Sequence, residues 1–151
     1  MKPLIVLSLL ATLLVSGYST GFPACVREHA RQQTIRWGEI HSNNAISGYE
    51  LSAQATLFVV QQNSQAEQLQ ITEKGSVGAN LYCERLDLVR RAFIEVQALN
   101  VPGETRRFVE YRNPQNDVEM RAVWNPEYDT KGNELFRSVY DSLESLRKTV
   151  D

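Results

Sequence analysis

Two short turn sequences, Val101-Pro102-Gly103-Glu104 and Pro114-Gln115-Asn116-Asp117, constrain this chain more than any other feature. Proline presets φ in both, and Gly103 accepts the positive φ that follows a turn proline. The residues around them alternate apolar with polar, the period of a half-buried strand. Pairing Asn100 with Thr105 sets Val96 opposite Val109 and Ile94 opposite Tyr111, whereas a slip of one residue would set Ile94 against Glu110. Pairing Asn113 with Val118 sets Tyr111 opposite Met120 and Val109 opposite Ala122. The region from Phe93 to Trp124 then reads as a three-stranded meander. Its shared apolar face comprises Ile94, Val96, Ala98, Val109, Tyr111, Val118, Met120, Ala122 and Trp124.

That face needs a cover, and the C-terminal segment supplies one. Asn133 is placed to cap a helix from Glu134 to about Val150, with Phe136, Val139, Tyr140, Leu143, Leu146 and Val150 at helical spacing. The expected class is α+β: an antiparallel sheet of about five to six strands, ending in a β-meander packed by a C-terminal amphipathic α-helix. Upstream, Thr34 to Ile40 reads as an edge strand around Trp37, and Ser42-Asn43-Asn44 and Ser47-Gly48 read as loop. Tyr49 to Val59 alternates as one strand, and Glu67 to Lys74 forms another with Leu69 and Ile71 on one face. Gly75-Ser76-Val77-Gly78 breaks the chain. Ala79 to Arg91 fits two periods. A strand that bends near Arg90 is slightly preferred to a helix, although Leu86, Val89 and Phe93 share a helical face.

The N-terminus has the layout of an export signal. Lys2 precedes an uncharged, largely apolar run from Leu4 to Val15, and small or turn-forming residues follow from Ser16 to Gly21. Residues 1–19 are assigned to a signal peptide with cleavage between positions 19 and 24, and residues 25–151 to one globular domain. Leu14-Val15-Ser16-Gly17 resembles a bacterial lipobox, but Tyr18 stands where the acylated cysteine is required. Export to the bacterial periplasm or beyond, without a lipid anchor, is therefore the expectation. The remaining cysteines, Cys25 and Cys83, are even in number and far apart, which in an oxidising compartment points to a disulfide.

Composition excludes several partners. Sixteen basic and eighteen acidic residues give a net charge of −2, and the signs are interspersed. Nucleic acid therefore has no electrostatic footprint here. No glycine-rich phosphate loop, zinc-ligand spacing or nucleophile elbow occurs, so neither cofactor nor metal is expected. Asp129-Thr130-Lys131-Gly132-Asn133 begins like a calcium loop but reads as a turn into the helix. His29 and His41 stand alone on either side of Trp37.

Two sets of residues remain as candidates. The meander register sets Glu95 opposite Glu110, Glu110 opposite Arg121 and Arg112 opposite Glu119. Facing carboxylates beside an arginine suit acid–base chemistry, so Glu95, Glu110 and Arg121 form the candidate catalytic set of a small hydrolase. The alternative is a solvated charge ladder worth under about 1 kcal/mol per pair. Trp37, Phe93 and Phe108, with Arg112 and Arg121 at the rim, form a candidate interaction surface, because this register leaves those aromatics off the helix-covered face. Non-enzymatic binding of an envelope or extracellular partner is the favoured expectation. The hydrolase is the alternative.

Overall fold

The computed structural model describes residues 21–65, 68–96 and 98–150. Six strands form one antiparallel sheet: β1 Thr34–Ile40, β2 Ile46–Ser52, β3 Thr56–Gln62, β4 Gln70–Ser76, β5 Arg106–Asn113 and β6 Val118–Trp124. Their spatial order is β4-β3-β2-β1-β5-β6. The first four make a meander; helix α1, Ala79–Glu95, then carries the chain back so that β5 pairs with β1. Helix α2, Glu134–Glu144, follows β6 and runs on into a 3₁₀ turn over Ser145–Thr149. The class is α+β, as the periodicities imply.

The last hairpin keeps its expected register. Asn113 pairs with Val118, Tyr111 with Met120, Val109 with Ala122 and Glu110 with Arg121. A 3₁₀ turn at Pro114–Asn116 joins the strands, with Asp117 in the left-handed region at φ 54°. Val109, Tyr111, Ala122 and Trp124 meet Phe136, Val139, Tyr140 and Leu143 of α2 in the main core. The Trp124 ring lies 6.3 Å from that of Phe136 and edge-on to Tyr140 at 5.8 Å.

The strand expected from Phe93 to Asn100 is absent. Ala79–Glu95 is helical throughout, overturning the preference for a bent strand, because Tyr82, Leu86, Val89 and Phe93 recur at steps of three and four and are all buried. The short alternation after Phe93 competes with that longer pattern and loses: Ile94 is 75% exposed. Neither Val96 nor Ile94 faces β5, whose second neighbour is β1, with Trp37 opposite Val109 and Arg36 opposite Glu110. Pro102-Gly103 is not a hairpin turn between adjacent strands. Residues 99–101 instead run beside the outer edge of β6, where Val101 N donates to Val123 O and Val123 N donates to Leu99 O, both at 2.9 Å. Gly103 abuts Asn125, whose amide a Cβ would meet at 2.7 Å.

Tyr49 to Val59 also divides. A turn at residues 53–55 separates β2 from β3, with Ala55 at φ 62° and its N–H donating to Ser52 O at 2.9 Å. Neither glycine nor proline marks this turn. Ala53 and Ala55 are buried, so their small side chains let a reversal pack directly on the core. Ser47 and Gly48, read as loop, lie in β2. Gly48 opposes Gly38 across the β1–β2 ladder, and a Cβ on either would stand 2.2 Å from a backbone carbonyl of the other strand. The strands touch there, and only glycine permits it. β1 is an inner strand rather than an edge.

β4 begins at Gln70 rather than Glu67; residues 66 and 67 lie outside the described residues. It forms one edge of the sheet and is largely exposed. A register shift against β3 near Leu57 and Phe58, the charges of Glu73 and Lys74, and Gly75 all blunt that edge against further strand pairing.

Cys25 and Cys83 form the expected disulfide, with Cα atoms 5.7 Å apart, tying the segment before β1 to the first turns of α1. Closing a loop of 58 residues stabilises by up to about 4 kcal/mol in the chain-entropy model. The pair Cys25→Ala/Cys83→Ala is expected to lower the unfolding free energy by about 2–4 kcal/mol in urea titrations. An unchanged midpoint would show that packing alone holds the segment.

Candidate functional site

The sheet separates the two carboxylates singled out in the sequence. Glu95 ends α1 in the helical layer, where it lines a shallow cleft with Leu88, Leu135 and Ser138. Glu110 points from the opposite face, since its neighbours Val109 and Tyr111 enter the helix-side core. The two do not form a facing pair. Four residues instead make a cross-strand row, Glu50–Arg36–Glu110–Arg121. Arg121 binds Glu110 Oε2 through Nε at 2.6 Å and also through Nη2; Arg36 pairs with Glu50. Arg36 Nη1 and Arg112 Nε approach Glu110 Oε1 at 3.8 and 3.9 Å, and Arg112 also meets Glu119 at 3.4 Å. Glu110 is 1% exposed. Three guanidiniums thus surround one buried carboxylate, and every one of them is engaged in the row or with Glu119. The Glu110–Arg121 and Arg112–Glu119 pairings follow the sequence register; the partner of Glu110 on its other side is Arg36, not Glu95.

The aromatic surface is corrected as well. Trp37 is fully buried on the helix side, stacked on Tyr49 at 5.6 Å, and its Nε1 donates to Glu144 Oε1 at 2.9 Å. Phe93 packs on Phe136 inside the core, with centroids 4.9 Å apart. Phe108 lies on the open face in a small cluster with Ile40 and Val123, and the Arg121 guanidinium sits over its ring at 5.6 Å. None of the three aromatics is an exposed platform. Arg112 and Arg121 remain partly exposed, each engaged as described.

A polar cluster fixes the start of β1. Gln33, fully buried, donates through Nε2 to the Tyr82 hydroxyl at 2.9 Å and accepts at Oε1 from Tyr111 Oη and Arg90 Nη2, both at 2.9 Å. Burial pushes the Tyr82 hydroxyl up to about 12 from its ordinary 10.0, against the opposing pull of the Gln33 hydrogen bond and the Arg90 charge.

The histidines differ from each other. His29 is exposed and uses its backbone carbonyl to accept from Asn113 Nδ2 at 3.1 Å. His41 Nε2 meets Ser47 Oγ at 2.9 Å across the β1–β2 hairpin, a pairing that sequence reading missed. Among the described residues no carboxylate pairs with the other ring nitrogen, so the contact lacks the orienting group of a triad. No cluster of three or more His, Cys, Asp or Glu side chains that could hold a metal occurs among the described residues. In the acidic loop before α2, Asn133 Oδ1 accepts from Thr130 N and Arg137 Nε, while Arg137 pairs with Asp129 at 3.0 Å. The calcium-like sequence is a turn.

The feature with the shape of a site lies elsewhere. Between the flank of α2 and the floor of β1–β3 runs a groove of about 490 Å³. Glu39, Ser47, Tyr49, Gln61 and Arg107 line it from the sheet, and Tyr140, Asp141, Glu144 and Arg147 from the helix. Two ion pairs stand in it: Arg107 Nε with Glu39 Oε1 at 3.3 Å, and Arg147 Nη1 with Glu144 Oε2 at 3.0 Å. Each guanidinium also lies over a tyrosine, Arg107 over Tyr140 at 4.9 Å and Arg147 over Tyr49 at 5.7 Å. Burial, then the charges of Glu144 and Glu39, raise the Tyr140 hydroxyl well above its ordinary range, so it stays neutral. These residues escaped sequence reading because they come from four strands, α2 and the 3₁₀ turn that follows it. The helical spacing assigns Tyr140 to the core, and it says nothing of the groove that Glu144 and Arg147 line.

Compared with known protein families and with curated proteins, the chain matches none.

Glu110→Gln is expected to cost about 1–3 kcal/mol, because the one buried member of the row loses its charge-assisted hydrogen bonds to Arg121, whose guanidinium is itself partly exposed. Glu95→Gln, at an exposed helix end, should stay within about 0.5 kcal/mol. Equal effects in denaturant titrations would contradict the charge-row reading of Glu110. The raised Tyr82 value gives stability that is complete below pH 10.0 and is lost as pH rises through about 12. Unfolding titrations across that window should show a shallower alkaline loss in Tyr82→Phe than in the wild type; identical slopes would remove Tyr82 from the account.

Proposed function

We propose that this chain is an exported, disulfide-stapled binding protein of the bacterial envelope or extracellular space, and that it recognises its partner through the groove beside α2. The observation that carries the binding reading is the groove's composition. Glu39, Arg107, Glu144 and Arg147 are each between about a quarter and a half exposed, and paired charges over tyrosine rings are held in place without being sealed from solvent. Export is supported by the signal-like N-terminal sequence and by the Cys25–Cys83 bond. The hydrolase alternative loses its basis, because Glu95 and Glu110 occupy different layers.

The test has two arms. N-terminal sequencing of the protein recovered from the periplasm or medium is expected to begin between residues 20 and 25. Recovery of intact Met1 protein with free thiols from the cytoplasm would defeat the export reading. Affinity capture from the native envelope is expected to lose its partner when Arg107→Glu and Asp141→Arg are combined, and to keep it with Glu119→Gln on the far face. Equal capture by all three proteins would defeat the groove reading.

A further inference from the structure

We propose that the groove binds a small zwitterion, an α-amino acid or a short peptide with both termini free. The inference deepens the binding reading of the groove and rests on it.

The charges in the groove are nearly balanced, with Arg107 and Arg147 against Glu39, Asp141 and Glu144. Neither a polyanion nor a polycation finds a matching field there; a molecule carrying both signs does. Glu144 is already committed, with Oε1 accepting from Trp37 and Oε2 pairing with Arg147. The uncommitted groups line the same groove. Arg107 meets Glu39 through Nε, at the long distance of 3.3 Å, which leaves its two terminal Nη donors uncommitted to that pair. Such a fork matches a carboxylate in bidentate fashion. Arg107 lies against the ring of Tyr140, and the next residue along α2 is Asp141, whose carboxylate has no hydrogen-bond or ion-pair partner among the described residues. A guanidinium fork and a carboxylate without a partner among the described residues therefore line one groove of about 490 Å³. The Nη pair takes the ligand carboxylate and Asp141 takes the ammonium. Tyr140, largely buried beneath Arg107, backs the guanidinium with its ring rather than offering the ligand an open face. Ser47 and Gln61 on the sheet side supply neutral donors and acceptors that tolerate a peptide backbone.

The test uses the exported, disulfide-bonded protein and amide-resolved NMR titration. The probes are L-alanine, L-alanyl-L-alanine, and that dipeptide with its N-terminus acetylated or its C-terminus amidated. Binding of at least one free zwitterion is expected to shift resonances of residues 39, 107, 140 and 141. Blocking either terminus should weaken it by about tenfold or more. Asp141→Asn, which removes an exposed charge without a partner and leaves folding intact, should weaken the free dipeptide by about tenfold while leaving the acetylated form unaffected. No shifts up to about 10 mM ligand, or equal binding of blocked and free forms, would overturn the proposal. If the zwitterions fail while the Arg107→Glu/Asp141→Arg protein still loses its captured partner, the ligand class is wrong and the groove reading stands. If capture is also unaffected, both fall.

Discussion

The pairing of β1 with β5 is the interaction on which the rest of the molecule depends. It joins the N-terminal meander to the C-terminal hairpin, two pieces that α1 keeps apart in sequence. On the helix side the seam sets Trp37 against Val109 and Ile35 against Tyr111, all in the main core. On the open side it sets Arg36 against Glu110, so that the charge row crosses the seam. A slip of one residue would drive Arg36 into the core and Trp37 into solvent. One register therefore satisfies both faces.

Polar groups at the two ends of the seam reinforce that register. Gln33, just before β1, ties Tyr82 and Arg90 of α1 to Tyr111 of β5. At the other end Arg107 of β5 reaches Glu39 of β1 and covers Tyr140 of α2. The same contact that closes the seam forms one wall of the groove. Trp37 acts similarly: its ring fills the core, while its indole N–H fixes Glu144 at the groove's rim. Core packing and candidate site share residues, which explains how a small domain can hold charged side chains in place without a deep cleft.

Much of the fold was legible where one period ran without competition. Arg106 to Trp124 alternates cleanly around a proline turn, and α2 repeats its apolar residues through three turns, so register and cover both followed from the sequence. Legibility failed where signals overlapped or were missing. Phe93 to Val96 continues an alternation that ends at a proline–glycine pair, yet these residues finish a helix whose buried stripe begins at Tyr82. The turn at Ala53 to Ala55 carries no turn residue at all. Cys25 and Cys83 were legible as a pair because they are even in number, far apart and follow a signal-like N-terminal sequence.

By itself the sequence determined the class of the fold, the pairing of the last two strands, the C-terminal helix and the disulfide, because each rests on spacing within a segment or on a count of two. Tertiary structure alone decided that Glu95 and Glu110 lie in different layers, that Trp37 and Phe93 are core, and that Glu39, Arg107, Tyr140 and Asp141 meet in one groove. Those outcomes depend on which strand lies beside β5. That choice is made by contacts between residues some seventy positions apart, and no local period encodes it.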